Sequence, residues 1–511
     1  MPAASLIKRD AVLFALIFVA ILILHIPLLT LPYFWDEAGH YIPAARDFML
    51  SGDVIPKTTI SNAHPPLPQF YLALMWSVFG YAPTVARVAM LLLSAFALVQ
   101  VFRIGEQVAN REVAIAATVC SALYPVIFAQ SSLAHADLMA MALALWGLRL
   151  YLEARNWISV LAFSLAVLAK ETAILFPVAV FAWEVLKRRP SGAKARPWRK
   201  ILRLSIPAVV LALWFGYHYW RTGYIFGNPE FFRYNVASTF VPLRIALAAL
   251  RRLWQVTGYM NLWVLTGAMA AAMLLPPLVA KADEKMRERI AIPIQLLFLA
   301  LIVAHVAGHS LVGGAVLARY MMPVIPLVIL ISVSTLWRRV PQWKWVVGFV
   351  CATLVIGWFV PPLTSYAPED NLNYASYVRL HQKAAKFVER KYPRARVLTA
   401  WPASDEIAHP YLGYVERPLR TVRIENFSFD QLMLARQSGD YDVAFLFSTK
   451  TPRSRFRWQF WEGANARYFD LHEDVSPGVA ATLLGGRGVM HEADNGQWVA
   501  VVEFDRIRYG D

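Results

Sequence analysis

Trp35-Asp36-Glu37-Ala38-Gly39-His40-Tyr41 brings two carboxylic acids, an imidazole and a phenol together in one short stretch, with Arg46 and Asp47 close behind. On a helix His40 stands one turn above Asp36, and Tyr41 one turn above Glu37. The two acids then point about 100° apart, so they can take different roles. Pro43 suits a helix interior poorly, so the spacing predicts a second helix opening at Ile42 and running to Leu50. The competing reading is an amphipathic interfacial helix with solvated acids.

Four further elements carry chemistry-bearing side chains. Asn62-Ala63-His64-Pro65-Pro66-Leu67-Pro68 leads into Tyr71 and Trp76, and its paired prolines stiffen the chain around His64. Ala134-His135-Ala136-Asp137, Lys170-Glu171 and Ala318-Arg319-Tyr320-Met321-Met322-Pro323 each lie at the end of an apolar run. Ionisable groups are costly in or beside a membrane, which makes each a functional candidate. Lys170 suits an anion; the alternative is an ion pair with Glu171 or Asp137. Arg319 suits a phosphate, whose oxygens its planar fork can pair through two charge-assisted hydrogen bonds. The alternative there is a side chain snorkelling to the interface.

These residues need a scaffold, and the composition says which kind. Of 511 residues 58% are hydrophobic and 16% charged, against roughly a quarter charged in soluble domains. The net charge of +16 clusters between apolar runs, which marks topology rather than nucleic-acid binding. Cys120 and Cys351 both lie inside apolar runs, so neither a disulfide framework nor a cysteine zinc site is expected. Stretches near the ~20 residues of a bilayer crossing begin at Ala11 to Leu29, a retained anchor with no small-residue cleavage site after it. Others follow at Pro83 to Ile104, Val113 to Phe128, Leu138 to Leu152, Trp157 to Ala169, Thr172 to Leu186 and Ile201 to Trp220. Met260 to Ala280, Ile290 to Val306, Tyr320 to Trp337 and Trp345 to Pro361 complete an expectation of about eleven.

Lysines and arginines orient the spans. Lys8 and Arg9, the run Lys187, Arg188, Arg189, Lys194, Arg196, Arg199, Lys200 and Arg203, then Lys281, Lys285, Arg287 and Arg289, then Arg338, Arg339 and Lys344, fall on one side if eleven spans alternate. That side is cytoplasmic. Leu31 to about Tyr81, Arg221 to about Gly258, and everything after Pro362 then lie outside. The expected organisation is a helical polytopic membrane domain over 1–362, with outer loops 31–81 and 221–258, and a soluble extracytoplasmic α/β domain over 363–511. In that domain Arg396 to Ala400, Asp442 to Phe447 and Trp498 to Phe504 read as strands, and Tyr374 to Lys391 as a helix. No G-x-x-x-x-G-K-[ST], H-E-x-x-H or paired C-x-x-C occurs, so ATP-driven transport and zincin proteolysis lose their usual support.

The order of the elements resembles the GT-C membrane glycosyltransferases, in particular the protein O-mannosyltransferase and aminoarabinose-transferase superfamily. The matching residues are Asp36-Glu37 with Tyr41, Pro65-Pro66-Leu67, Arg87 within Thr84-Val85-Ala86-Arg87, Lys170, and Arg319-Tyr320 with Pro323. Where the aminoarabinose branch carries an arginine after the aspartate and a Glu-Lys before the prolines, this chain has Gly39 and Ala63-His64. The resemblance implies transfer of a sugar from an undecaprenyl- or dolichyl-phosphate donor to a lipid, glycan or protein acceptor, generally with inversion. It implies an active site on the outer face of a membrane, here the bacterial inner membrane, facing the periplasm. Asp36 falls where the family has its first-loop aspartate and is the expected base, with Glu37 the second catalytic candidate. His40, Tyr41, His64, Asp137, Lys170, Glu171, Arg319 and Tyr320 are the expected substrate-binding residues. Asp36, Glu37 and His64 are the candidate ligands should a divalent metal ion be used; no cofactor is required by the motifs. The alternative function is a lipid-linked-glycan flippase, and a third is an outer-face assembly scaffold.

The charge count gives a topology test. A reporter active only beyond the cytoplasm is expected to work when fused at Asp511 and to fail within Lys194 to Lys200. The reverse pattern would move Asp36 to the cytosol and remove it from the site.

Overall fold

The computed structural model describes residues 3–187, 198–236, 239–279, 286–362, 366–449, 459–469 and 474–504. Arg188, Arg189, Lys194, Arg196, Lys281 and Lys285, used above for orientation, lie outside the described residues, as does Asp511.

All eleven apolar stretches contain helix: Ala3–His25, Pro83–Val108, Arg111–Leu123 with Pro125–Gln130, Ala136–Leu152, Asn156–Ala169, Leu175–Leu186, Ile206–Thr222, Leu262–Ala272, Ile292–Leu311, Ile325–Arg339 and Trp343–Gly357. Among the described residues four segments are long and apolar enough to cross a membrane: Arg9–Leu28, Pro83–Val108, Trp198–Thr222 and Ile292–Leu311. The chain is thus an integral membrane protein. The remaining helices run 11 to 17 residues in their main segments, short of the ~20 of a full straight crossing, so length and composition identify four of the expected eleven or so spans.

Pro83–Val108 is the central helix. Proline opens it, where no amide hydrogen is needed, and its flanks are covered by Ala3–His25, Arg111–Leu123 and Ala136–Leu152. Ala3–His25 by contrast shows Val12, Leu16 and Ile23 outward, as a lipid-facing helix does. Cys120 and Cys351 face each other as free thiols with sulfurs 3.8 Å apart.

The C-terminal part holds a five-stranded sheet of β1 (Arg396–Ala400), β2 (Arg420–Ile424), β3 (Val443–Phe447), β4 (Arg487–Asp494) and β5 (Gln497–Glu503), in the order β2-β1-β3-β5-β4. β2, β1 and β3 are parallel, and β5 and β4 are added antiparallel. The β4–β5 hairpin turns on Asn495-Gly496, both at positive φ, as a two-residue turn of matching twist requires. The helix Asn373–Lys391 packs on β4 and β5. Its first turns present Tyr374 and Tyr377 to Phe34, with ring centroids 5.9 and 5.2 Å apart. Tyr414 donates to the Tyr33 carbonyl at 2.9 Å and Tyr81 to the Tyr411 carbonyl at 3.0 Å. The C-terminal sheet domain therefore sits directly on the loop that follows the first apolar helix.

That loop is a π-helical turn, Glu37–Tyr41, running into the helix Ile42–Ser51, with Pro43 in its first turn as the spacing predicts. Glu37 does not join Asp36. It is fully buried, and its Oε1 accepts from the Arg87 guanidinium and the Ala134 amide at 2.5 Å each, its Oε2 from the Phe34 amide at 2.8 Å. Arg87 also donates to the Pro32 and Ser132 carbonyls, both at 2.8 Å. One carboxylate thus ties the loop to the central helix, so the expectation of a catalytic or metal-binding Glu37 is corrected to a structural one. Removing one partner of a buried pair strands the other's charge, at about 3 to 5 kcal/mol. Glu37→Gln is expected to lower the thermal unfolding midpoint of the purified protein clearly; an unchanged midpoint would return Glu37 to the chemical candidates.

Candidate active site

A cavity of about 1600 Å³ opens between one end of the helices and the C-terminal sheet domain. Asp36, His40, Tyr41, His64, Lys170, Glu171, Arg319 and Tyr320 line it. Asp137 stands immediately behind, bonded to Lys170. Of the expected catalytic and substrate-binding residues, Glu37 faces away from the cavity, paired with Arg87.

Arg319 holds the arrangement together. It sits on the 3-10 turn Ala318–Met321, after a non-helical run from Val312. Open backbone near membrane depth survives only where its polar groups find protein partners. The amphipathic helix Pro242–Thr257 supplies them: Arg244 donates to the carbonyls of Val312 and Gly314 at 2.9 and 2.8 Å, Arg252 to Leu317 at 2.5 Å, and Gln255 to Val316 at 3.0 Å. The sequence reading placed this helix in an outer loop and missed its role; Pro242 ahead of Arg244, Arg251 and Arg252 was the available signal.

Arg319 pairs with three carboxylates from three parts of the chain. Its Nη2 bonds Asp36, its Nε lies 3.4 Å from Asp137 Oδ2, and its Nη1 donates to Glu369 Oε1 at 3.0 Å. Glu369, from the turn Pro368–Asp370 after the last apolar helix, escaped the sequence reading. Lys170 bonds Asp137 at 2.6 Å, the ion pair weighed above as its alternative, and lies 3.9 Å from the Tyr320 ring centre. His64 bonds Glu171 at 2.8 Å, with Tyr41 parallel to it at 6.0 Å.

The charges follow from these contacts. Burial alone would raise the Asp36 carboxyl, but Arg319, aided by His135 and His40, outweighs it and holds Asp36 well below the usual range. Burial pushes Glu369 up to about 7 despite Arg319, with Asp370 and Asp36 adding to the rise. Burial lowers His40, against the pull of Asp36. The cavity therefore offers an ionised Asp36 carboxylate and a neutral His40 imidazole beside the Arg319 guanidinium, with the Lys170 amine alongside. Such a set can accept a proton from a hydroxyl and hold an anion.

A divalent ion on Asp36, Glu37 and His64 does not fit this geometry. Glu37 spends both oxygens on Arg87 and backbone amides, and His64 turns to Glu171. Among the described residues no group of three histidine, cysteine or acidic side chains converges as metal ligands would.

Glu369 gives a pH test. Its folded-state value lies above the ordinary 4.5, so between about 4.5 and 7 the folded protein keeps a proton that the unfolded chain has lost. Its contribution to stability is then full at the acid end and falls as pH rises through that window. Glu369→Gln is expected to flatten the decline in thermal midpoint between pH 5 and 7. An unaltered slope would show that Glu369 does not titrate there.

Comparison with known proteins bears on the same elements. Residues 63–220 match the family described as dolichyl-phosphate-mannose-protein mannosyltransferase, a stretch that includes His64, Arg87, Asp137, Lys170 and Glu171. No curated protein matches the chain in sequence. In structure the chain is similar to ArnT from Cupriavidus metallidurans bound to undecaprenyl phosphate, with TM-score 0.52 and 15% identity over 98% of each chain. The apo form of that protein gives 0.51 and 14% over the same shares. An oligosaccharyltransferase of Archaeoglobus fulgidus gives 0.47 and 11%, over 86% of this chain and 67% of that one. The chain therefore has the GT-C fold that its ordered motifs resemble, and within it residues 63–220 carry the match to the mannosyltransferase family.

Proposed function

We propose that this protein is a membrane glycosyltransferase that moves a sugar from a polyprenyl-phosphate donor to an acceptor hydroxyl at the extracytoplasmic face. The observation that carries this reading is the convergence of Asp36, Lys170 and Arg319 on one cavity. The fold shared with a protein crystallised with undecaprenyl phosphate supports the donor class, and the mannosyltransferase match supports a phosphate-linked sugar.

The roles follow from charge. As the bond from the sugar C1 to the phosphate oxygen breaks, negative charge grows on the phosphate. It is already a good leaving group and needs no general acid. Lys170 and Arg319 stabilise the growing charge, exchanging part of their carboxylate contacts for phosphate oxygens. Asp137 and Glu369 keep the two cations aimed. The acceptor oxygen bonds to C1 from the opposite face, inverting it, and passes its proton to Asp36. His40, Tyr41, His64, Glu171 and Tyr320 shape the space for the sugar. A flippase would place its ionisable groups near the middle of several helices, whereas here they meet at one end, under the soluble domain. The loop charges favour an extracytoplasmic cavity, and a bacterial inner membrane with the cavity toward the periplasm is the setting proposed for it.

Asp36→Asn keeps size and hydrogen-bonding capacity while removing the charge. Turnover of a polyprenyl-phosphate sugar is expected to fall by at least about 10²-fold, with binding of undecaprenyl phosphate retained. Lys170→Ala is expected to do the opposite, weakening that binding several-fold or more. Wild-type turnover in Asp36→Asn with a hydroxyl acceptor, or unchanged lipid-phosphate binding in Lys170→Ala, would remove these residues from the mechanism.

A further inference from the structure

The cavity exceeds what a phosphate and one sugar occupy, since ordinary small-molecule sites run to roughly 300–1,000 Å³, and its two ends differ in chemistry. The membrane end gathers Lys170, Arg252 and Arg319 against Asp36 and Glu171. The other end is walled by the soluble domain through Trp401, Asp405, Arg423, Glu425 and Asn426. There the charges are mixed and in pairs across the cavity: Arg423 reaches Glu230 at 3.3 Å, and Glu425 reaches Arg233 at 3.2 Å. Nothing at that end favours a second phosphate.

Trp401 is built in. A Cβ on Gly39 would come within 2.4 Å of its indole, so only glycine admits the ring at this place. Trp35 meets it edge-on at 5.5 Å and His40 lies 5.4 Å away, which sets the indole beside the residue four positions after Asp36. Burial raises the Asp405 carboxyl, while Arg423, His409 and the Trp401 indole pull it down, so carboxylate, guanidinium and indole form one neighbourhood. An aromatic surface with planar polar groups around it is what a neutral sugar ring needs: its C–H face rests on the ring, and its hydroxyls bond to carboxylate, guanidinium and amide.

We propose that the soluble domain forms the acceptor wall of the cavity, and that its acceptor is a neutral saccharide seated on Trp401 with hydroxyls on Asp405, Arg423 and Asn426. This rests on the transferase reading and adds the substrate class. It places the acceptor hydroxyl between Trp401 and Asp36, where a base is needed. It also gives the Gly39 departure a cause, because an arginine there would occupy the place of the indole.

Saturation-transfer NMR on the purified full-length protein, with mannobiose, cellobiose and diacetylchitobiose as probes, tests it beside undecaprenyl phosphate binding. At least one saccharide is expected to bind, and its affinity to fall at least about tenfold in Asp405→Asn and Arg423→Gln. Trp401→Phe, which keeps the packing but shortens the platform, is expected to weaken it as well. Undecaprenyl phosphate affinity should stay within about twofold in all three. A protein that binds undecaprenyl phosphate but none of the saccharides would overturn the proposal, as would serine- or threonine-containing peptides competing at these residues in their place. Saccharide binding lost in the variants, in a protein that ignores undecaprenyl phosphate, would leave the wall standing and remove the transferase reading.

Discussion

The guanidinium of Arg319 is the group on which the site depends. A buried cation is tolerated only with close partners, and this one draws Asp36 from the loop after the first apolar helix, Asp137 from the start of a helix and Glu369 from the linker to the C-terminal sheet domain. Those three acids face two cations, Arg319 and Lys170. The excess negative charge is relieved where burial lets Glu369 keep a proton near neutrality. The balance is close enough that an arriving anion can displace carboxylates without leaving a cation bare. Electrostatic preorganisation of this kind is available to any chemistry that builds charge on a leaving group.

A second buried pair, Arg87 with Glu37, does a different job with the same chemistry. It is sealed from the cavity and saturated with backbone partners, so it fixes the loop in place. Adjacent acids in the sequence thus divide into one that faces solvent space and one that faces the core. The π-helical turn beginning at Glu37 separates them.

Much of this was legible in the sequence because it is local. Apolar runs located the helices, Pro43 marked the start of a helix, and charge at the ends of apolar runs pointed to eight residues that line one cavity. What was missed is non-local. Glu37 and Asp36 look alike in sequence, and only Arg87, fifty positions on, tells them apart. Glu369 reads as a linker acid until Arg319 is beside it. β2 is short and arginine-bearing and so lacks a strand pattern, whereas β4 was recoverable, since Asn495-Gly496 before an apolar alternation is a strong hairpin signal. The thiol contact of Cys120 with Cys351 depends on helix packing that no spacing reveals.

The three acids around Arg319 are spread along the chain, and synthesis runs in one direction. Asp36 and Asp137 leave the ribosome well before Arg319, which follows Asp36 by 283 residues, and Glu369 comes 50 residues later still. Until then Asp36 lacks its cation and Asp137 has only Lys170, 33 residues on, while Arg319 has no finished pocket to enter. Insertion of the last apolar helices therefore coincides with assembly of the charge cluster. A chain truncated before the linker would carry every span and still lack the third acid, so a ribosome-bound intermediate cannot hold the finished charge cluster ahead of time.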